Sequence, residues 1–232
     1  SRAMDQICQD MGDLPLDYLI FSTGAGLMSL PDRIMIEKHG IMGKEVKRIS
    51  EYFDGLGFDY MIHRAIPDTA HFLYKSHGRD NPDFRQRISF YSEFAAPLNS
   101  HSPIFESATE VLAVVPEKLG SQDVEKIRSD LAGFSVIHAT SPLDHRSSWI
   151  EVFNSEVSKS RCVERLAKRL GIGRENVVAV GNDYNDQDLL DWAGQGFLTA
   201  NGQAELKPCF RIVGSNNESG VSQAAEQAGL LN

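Results

Sequence analysis

The stretch Asn176-Val-Val-Ala-Val-Gly-Asn-Asp-Tyr-Asn-Asp-Gln-Asp-Leu-Leu190 decides the fold of this chain. Its apolar beginning predicts a buried strand, because a strand that is covered on both faces is typical of a parallel sheet lying between helices. A polar loop, residues 181–186, follows directly, and Leu189, Leu190 and Trp192 then indicate an amphipathic helix. The stretch therefore predicts a strand, loop and helix of an α/β domain.

The sequence on both sides continues this alternation. Upstream, residues 149–153 alternate as a strand, and Ser158 is placed to cap a helix that Gly171 ends. Downstream, two short strands and a last helix are indicated at residues 196–199, 211–213 and 221–230. The last third of the chain therefore has the pattern of a doubly wound sheet.

A shorter α/β signal stands near the start of the chain. Residues 3–11 predict a helix, and residues 17–22 predict a strand that runs into the loop Thr23-Gly24. We therefore expect this segment to share a sheet with the last third of the chain.

The middle of the chain has a different character. Residues 31–147 mix strand and helix patterns in the manner of an α+β module. Such a module can be inserted into a surface loop of another domain, since chain ends of compact modules often lie close together. We predict an α/β fold in which residues 1–30 and 148–232 form a doubly wound parallel-sheet core and residues 31–147 form the inserted module.

Composition limits the classes of function. The chain has 232 residues with 32 acidic and 23 basic side chains, which disfavours a nucleic-acid partner. No apolar run approaches the ~20 residues of a membrane span. The three cysteines, Cys8, Cys162 and Cys209, lack the spacing of a metal site, which is typical of a reduced protein. We expect a cytoplasmic protein without nucleic-acid or membrane partners.

The loop after the 176–180 strand carries the strongest chemical signal. Asn182, Asp183, Asn185 and Asp186 place oxygen donors where the carboxyl ends of parallel strands line a ligand crevice. Such donors suit Mg²⁺, and the loop has no histidine or cysteine that would favour zinc. The alternative is a turn rich in Asn and Asp that only caps the next helix.

Lys159 is a second candidate, at the first turn of the helix that precedes this strand. A cation there opposes the helix dipole, so an anion such as phosphate at the helix N-terminus would explain its position. The alternative is an ordinary solvated lysine.

Several segments together resemble the haloacid dehalogenase (HAD) superfamily, and most closely its Cof-type, Mg²⁺-dependent phosphatase branch. The segments similar to the third and fourth motifs are Val157-Ser-Lys-Ser160, Leu170-Gly-Ile172 and Val178–Leu190. Weaker similarity covers Ala200-Asn-Gly202, Ser215–Val221 and Ile20–Ala25, where Thr23 stands in place of the usual asparagine. The resemblance implies a HAD-like core with residues 31–147 as an α+β cap of the C2 type.

The resemblance also implies roles for individual residues. Lys159 would neutralise the nucleophile and the transferring phosphoryl group. Asn182, which replaces the usual aspartate, would bind Mg²⁺ together with Asp183 and Asp186. The remaining residues implied in substrate or phosphate binding are Thr23, Gly24, Asn185 and Asn201.

The nucleophile of the family lies in an Asp-x-Asp motif at the end of a first strand, and a Thr/Ser-Gly-Arg motif follows it. No Asp-x-Asp occurs before Asp186 in this sequence, and no Thr/Ser-Gly-Arg occurs at all. We expect the sequence to begin just after these motifs, and the 232 residues alone to be inactive.

The resemblance implies hydrolysis of a small phosphomonoester, such as a sugar phosphate, through an aspartyl-phosphate. Two alternatives stay open: a degenerate homologue that binds without turnover, and a phosphomutase. The middle module could contact a polar leaving group through His63, His71, His77 or Arg79, although structural or surface roles are the simpler interpretation. The sequence does not indicate an oligomeric state.

Overall fold

The computed structural model describes residues 16–30, 32–99 and 105–231, so the helix that we predict at residues 3–11 lies outside the described residues. The strands are β1 Tyr18–Phe21, β2 Gly26–Ser29, β3 Ile34–Lys38, β4 Ile41–Met42, β5 Asp59–Arg64, β6 Phe72–Lys75, β7 Ala95–Pro97, β8 Ser107–Val115, β9 Phe134–Thr140, β10 Ser148–Asn154, β11 Val178–Gly181, β12 Gln195–Thr199 and β13 Arg211–Val213. The α-helices are α1 Gly43–Leu56, α2 Pro82–Phe90, α3 Ser121–Asp130, α4 Lys159–Leu170, α5 Gln187–Trp192 and α6 Gly220–Gln227. Within these described segments, no helix has both the length and the apolar composition that crossing a bilayer requires.

The chain divides into two compact units, with the division between Val157 and Ser158. The first unit contains two sheets. One is an antiparallel sheet in the order β1-β2-β3. The other has the order β7-β6-β5-β8-β10-β9, with β4 also paired to β8.

Helices cover both faces of the larger sheet. On one face, α1 and α3 pack Phe53 and Ile127 against alternate strand residues such as Ile62. On the other face, α2 packs Phe84 against a set that includes Met61. Because side chains of a strand alternate between faces, neighbours such as Met61 and Ile62 enter different clusters.

The second unit is a parallel sheet in the order β11-β12-β13, with α5 connecting β11 to β12. Gly196 of β12 allows α5 to approach closely, since a Cβ at this position would stand 2.4 Å from the Leu190 carbonyl oxygen. Phe197 and Val213 pack with Ala224 of α6. This unit is the α/β arrangement that the sequence predicts for the last third of the chain.

The α/β fold class with an α+β module is confirmed, but the prediction that residues 149–153 belong to the parallel sheet is wrong. These residues lie in β10, which pairs antiparallel with β8 and β9. The segment is buried on both faces, so its apolar pattern alone does not distinguish a parallel from an antiparallel neighbour. The strand predicted at residues 17–22 forms β1, which likewise pairs antiparallel, with β2. The division into core and cap as a whole stays a prediction.

Candidate functional site

The site in the second unit begins at the N-terminus of α4. Ser158 caps this helix as predicted, because its Oγ accepts a hydrogen bond from the Arg161 amide at 3.2 Å. Gly171 ends the helix in the left-handed conformation, with φ of 69°. The cap places Lys159 in the first helical turn.

The loop after β11 is organised around the carboxylate of Asp186. Its Oδ2 accepts hydrogen bonds from the amides of Asn182 at 2.8 Å and Asp183 at 3.2 Å. The Asp186 amide in turn donates to the Asp183 carbonyl at 3.0 Å. Gly181 is required for this tight turn, because a Cβ there would lie 2.5 Å from the Asp186 Cβ. The Asp186 side chain and the backbone amides of the loop therefore hold the loop in one shape.

Lys159 meets this loop. Its Nζ donates to Asp186 Oδ1 and, at 3.2 Å, to Asn185 Oδ1. The side chains of Lys159 and Asp186 are only 26% and 13% exposed, which strengthens the ion pair relative to one in open solvent. An ammonium group has three N–H donors, so two of them are used in this way. The third donor is what Lys159 can offer to a ligand.

The anions at the N-terminus of α4 come from the protein itself. Asp186 faces the Lys159 ammonium, and Asp188 Oδ2 accepts from the Ser160 amide at 3.0 Å. A bound phosphate is therefore not needed to explain the position of Lys159. Sequence reasoning missed Asp188, although its position two residues after Asp186 was a visible signal.

The donor set for a metal ion is partial. Asn182 and Asp183 lie in the same turn, and both side chains carry oxygen donors. Asn182 is exposed, and Asp183 is 9% exposed. Asp186 already balances Lys159 and two amides, which fits a positioning role better than that of a metal ligand. In the described segments, no group of three His, Cys, Asp or Glu residues could hold a metal ion. An amide and one carboxylate fit Mg²⁺, which keeps several waters and takes few protein ligands.

Asn201 lies in the turn after β12, and this turn contacts the loop. The Gln203 amide donates to the Asn182 carbonyl at 3.0 Å. The Asn201 Oδ1 accepts from the Asn216 amide at 3.1 Å, which joins the predicted C-terminal segments to each other. Sequence reasoning missed Thr199, a buried residue at the end of β12 whose Oγ1 has no hydrogen-bond partner.

Thr23 and Gly24 belong to the first unit. They form a short 3₁₀ turn after β1, with φ of 55° at Thr23 and 97° at Gly24. Thr23 Oγ1 donates to Glu151 Oε2 at 2.9 Å. The structure therefore brings Lys159, Asn185 and Asp186 together within the second unit and gives Thr23 a partner in β10. The functional roles of all these residues stay predictions.

Comparison with known proteins identifies a family that this chain matches. A family model described as haloacid dehalogenase-like hydrolase matches residues 1–224. A Bacillus subtilis (strain 168) protein named "Putative phosphatase YxeH" is 37% identical over 193 residues, which are 78% of this chain and 68% of that protein. The 5-amino-6-(5-phospho-D-ribitylamino)uracil phosphatase YitU of the same organism is 33% identical over 51% of this chain and 43% of its own length.

Solved structures show the same fold. A haloacid dehalogenase-like hydrolase from B. subtilis has a TM-score of 0.70 at 20% identity, over 98% of this chain and 84% of that one. The HAD subclass IIB sugar phosphatase BT4131 has a TM-score of 0.72 at 13% identity, over 96% and 80% of the two chains. The match of the family model over nearly all residues shows that this chain belongs to the haloacid dehalogenase-like hydrolases, a family in which its relatives are named as phosphatases.

Proposed function

We propose that the second unit carries the phosphoryl-binding and Mg²⁺-binding part of a phosphomonoesterase that acts on small, sugar-phosphate-like metabolites. The observation that carries this proposal is the convergence of Lys159 with Asn185 and Asp186 at the loop after β11. The substrate class is supported by the names of YitU and BT4131, which describe a ribitylamino phosphate and a sugar phosphatase.

Lys159 would stabilise the negative charge that phosphoryl transfer spreads over the equatorial oxygens. Asp186 and Asn185 hold its ammonium group in one place, which lowers the reorganisation needed when substrate binds. Asn182 and Asp183 would hold Mg²⁺, which supplies further positive charge at the phosphoryl oxygens.

The reaction also needs a nucleophile, for which the family resemblance implies an aspartate. Its carboxylate would form a bond to phosphorus while the ester oxygen leaves, and water would then release phosphate from the acyl phosphate. We assign no described residue to this role.

We also propose that the protein acts in the cytoplasm.

Ligand binding tests the proposal without requiring turnover. We expect orthophosphate with Mg²⁺ to bind the 232-residue chain in isothermal titration calorimetry, and Lys159→Ala to weaken binding at least roughly tenfold, about 1.4 kcal/mol. The matched control is Lys168→Ala, which removes an exposed cation from the last turn of the same helix. Equal binding by both variants would contradict the role of Lys159.

Turnover separates the alternatives. We expect no Mg²⁺-dependent hydrolysis of p-nitrophenyl phosphate by the 232 residues, because no Asp-x-Asp motif precedes Asp186. A robust rate that vanishes in Lys159→Ala would show that these residues do contain the nucleophile. If phosphate and Mg²⁺ bind but the protein that carries an Asp-x-Asp segment also shows no turnover, a homologue that binds without turnover becomes the better interpretation. Transfer of phosphate between two positions of a sugar, without release, would instead indicate a phosphomutase.

A further inference from the structure

The first unit contains a cavity of about 170 Å³, to which the proposed function has so far given no role. It lies on the face of the larger sheet that α2 covers. Its lining residues are Ser22, His63, Thr69, Phe72, Arg87, Tyr91 and Glu110, together with Ala70.

The floor of the cavity is a row of side chains across three strands. His63 of β5 stands directly opposite Phe72 of β6 on one side and Glu110 of β8 on the other. Residues directly opposite in an antiparallel pair share a face of the sheet. The rings of His63 and Phe72 lie 5.0 Å apart. Tertiary structure therefore assembles this row from residues that are up to 47 positions apart in sequence.

His63 has an unused hydrogen-bonding atom inside this row. Its side chain is 6% exposed, and its Nδ1 lies 2.8 Å from the Thr69 carbonyl oxygen. A carbonyl can only accept, so Nδ1 carries the proton and Nε2 is left as an acceptor. Nε2 has no hydrogen-bond partner, and the nearest Glu110 oxygen is 4.0 Å away. Because buried polar atoms are nearly always paired, this atom indicates a missing partner.

Arg87 of α2 supplies an unused donor. Its Nε is buried without a hydrogen-bond partner. The guanidinium carbon stands 4.6 Å from the centroid of Trp149 and 5.6 Å from that of Tyr91, so the group is fixed between two rings. The residues that carry this donor and the unused acceptor of His63 line the same small cavity.

The charges around the cavity favour an uncharged ligand group at His63. Burial lowers the pKa of His63 to about 3, and the neighbouring Arg87 charge acts in the same direction. Burial and the nearby Glu151 raise the pKa of Glu110 to about 8, against the opposing effect of Arg87. Both shifts favour the uncharged forms of His63 and Glu110. The groups that face them are Arg87 from α2 and Glu151 from β10, whose charges are of opposite sign.

We propose that this cavity binds a small polyhydroxylated molecule, whose hydroxyl groups donate to His63 Nε2 and accept from Arg87 Nε. A hydroxyl is the simplest uncharged group that both donates and accepts. Phe72 and Tyr91 offer apolar surface to the carbon chain. The ligand is either a free polyol or the alcohol part of a phosphate ester, since both present the same hydroxyls.

The test uses ribitol, ribitol 5-phosphate and, as a probe without hydroxyls, succinate, each added to the whole chain. We expect ribitol or its phosphate to bind in titration calorimetry and to shift the ¹⁵N resonance of His63 Nε2 upfield, as hydrogen bonding to that atom requires. Succinate leaves this resonance in place. A shift with ribitol identifies the free polyol, and a shift with ribitol 5-phosphate alone identifies the ester.

Variants then locate the site. His63→Phe and Arg87→Met each weaken binding at least roughly tenfold, about 1.4 kcal/mol. The matched control, Arg85→Met, removes an exposed arginine of the same helix that pairs with Asp80, and leaves binding unchanged. Thermal unfolding of each variant establishes that it is folded. If ribitol and its phosphate both leave the His63 resonance unchanged, the proposal is wrong. The ester reading rests on the proposed function, whereas ribitol has no phosphate, so the ribitol measurement tests the cavity independently of Lys159 and of the proposed phosphatase site.

Discussion

Two polar clusters of the chain, one in each unit, satisfy their hydrogen bonds to different extents. In the second unit, Lys159 and Asp186 lie in the loop region of a parallel sheet, and each satisfies the other. In the first unit, His63 and Glu110 lie within the face of an antiparallel sheet, and the acceptor of His63 is left without a partner. The difference indicates that the loop is preorganised by its own hydrogen bonds, whereas the sheet face keeps unsatisfied capacity for a ligand.

Two glycines, one in each unit, differ in the space around them. A Cβ on Gly196 of β12 would stand 2.4 Å from the Leu190 carbonyl oxygen of α5, whereas a Cβ on Gly55 of α1 would meet nothing within 4 Å. Position 196, which lies against α5, therefore tolerates less added volume than the exposed position 55, and substitutions can test this difference directly.

Gly196→Ala should give the largest loss of stability. Its Cβ would press on backbone atoms, which cannot rotate away, so we expect the upper part of the usual overpacking cost, about 3 kcal/mol. Urea unfolding followed by circular dichroism measures the change. A loss below about 1 kcal/mol would show that α5 shifts easily and that the close packing of this unit has little energetic value.

Asp186→Ala should have the next largest effect. It removes the acceptor of two amides and the partner of a partly buried ammonium group, so we expect destabilisation by about 2 kcal/mol and loss of phosphate binding. The control, Asp191→Ala, changes an exposed residue of α5 and should stay within about 0.5 kcal/mol. If the two variants unfold at the same urea concentration, the loop is not organised by Asp186.

Glu110→Gln should change how stability depends on pH. The folded pKa of about 8 lies above the ordinary value of 4.5, so the folded state holds this proton more tightly than the unfolded state. The stability that protonated Glu110 provides is present below about pH 4.5 and is lost as pH rises towards about 8. The variant has no such loss.

The measurement is the difference in Tm between Glu110→Gln and the unchanged chain. We expect it to grow in favour of the variant from about pH 5 to about pH 8. A change of about 1 kcal/mol corresponds to roughly 2–4 °C in a chain of this size. His63 acts in the opposite sense, since its lowered pKa removes stability as pH falls below 6.5, so the range above pH 6.5 reports the effect of Glu110 without that of His63. A difference that stays constant with pH would show that Glu110 ionises as freely in the sheet as in water.

The sequence predicts the second unit well because its signals are local. Ser158, Gly171 and the residues 181–186 act within a few positions of themselves, through a cap, a left-handed turn and a tight loop. The resemblance to a known family rests on the same short segments. Local hydrogen bonds of this kind leave a pattern that sequence alone can show.

The first unit is predicted less well because its contacts are distant in sequence. The apolar pattern of β10 fits either kind of sheet, and only its pairing with β8 and β9 decides between them. Glu110 and Arg87 gain their importance from a cross-strand register and a covering helix that no short pattern encodes. Its residue type makes His63 a candidate in the sequence, but its unpartnered nitrogen becomes visible only in three dimensions.

Gly55→Ala is the smallest expected effect and the mirror image of Gly196→Ala. Gly55 is exposed inside α1, and nothing lies near the added methyl group, so the backbone entropy of the unfolded chain decides the result. We expect stabilisation by about 0.5–1 kcal/mol, measured by the same urea unfolding. If alanine instead destabilises this position as it does position 196, the open space around Gly55 does not decide the result, and the comparison between the two glycines fails.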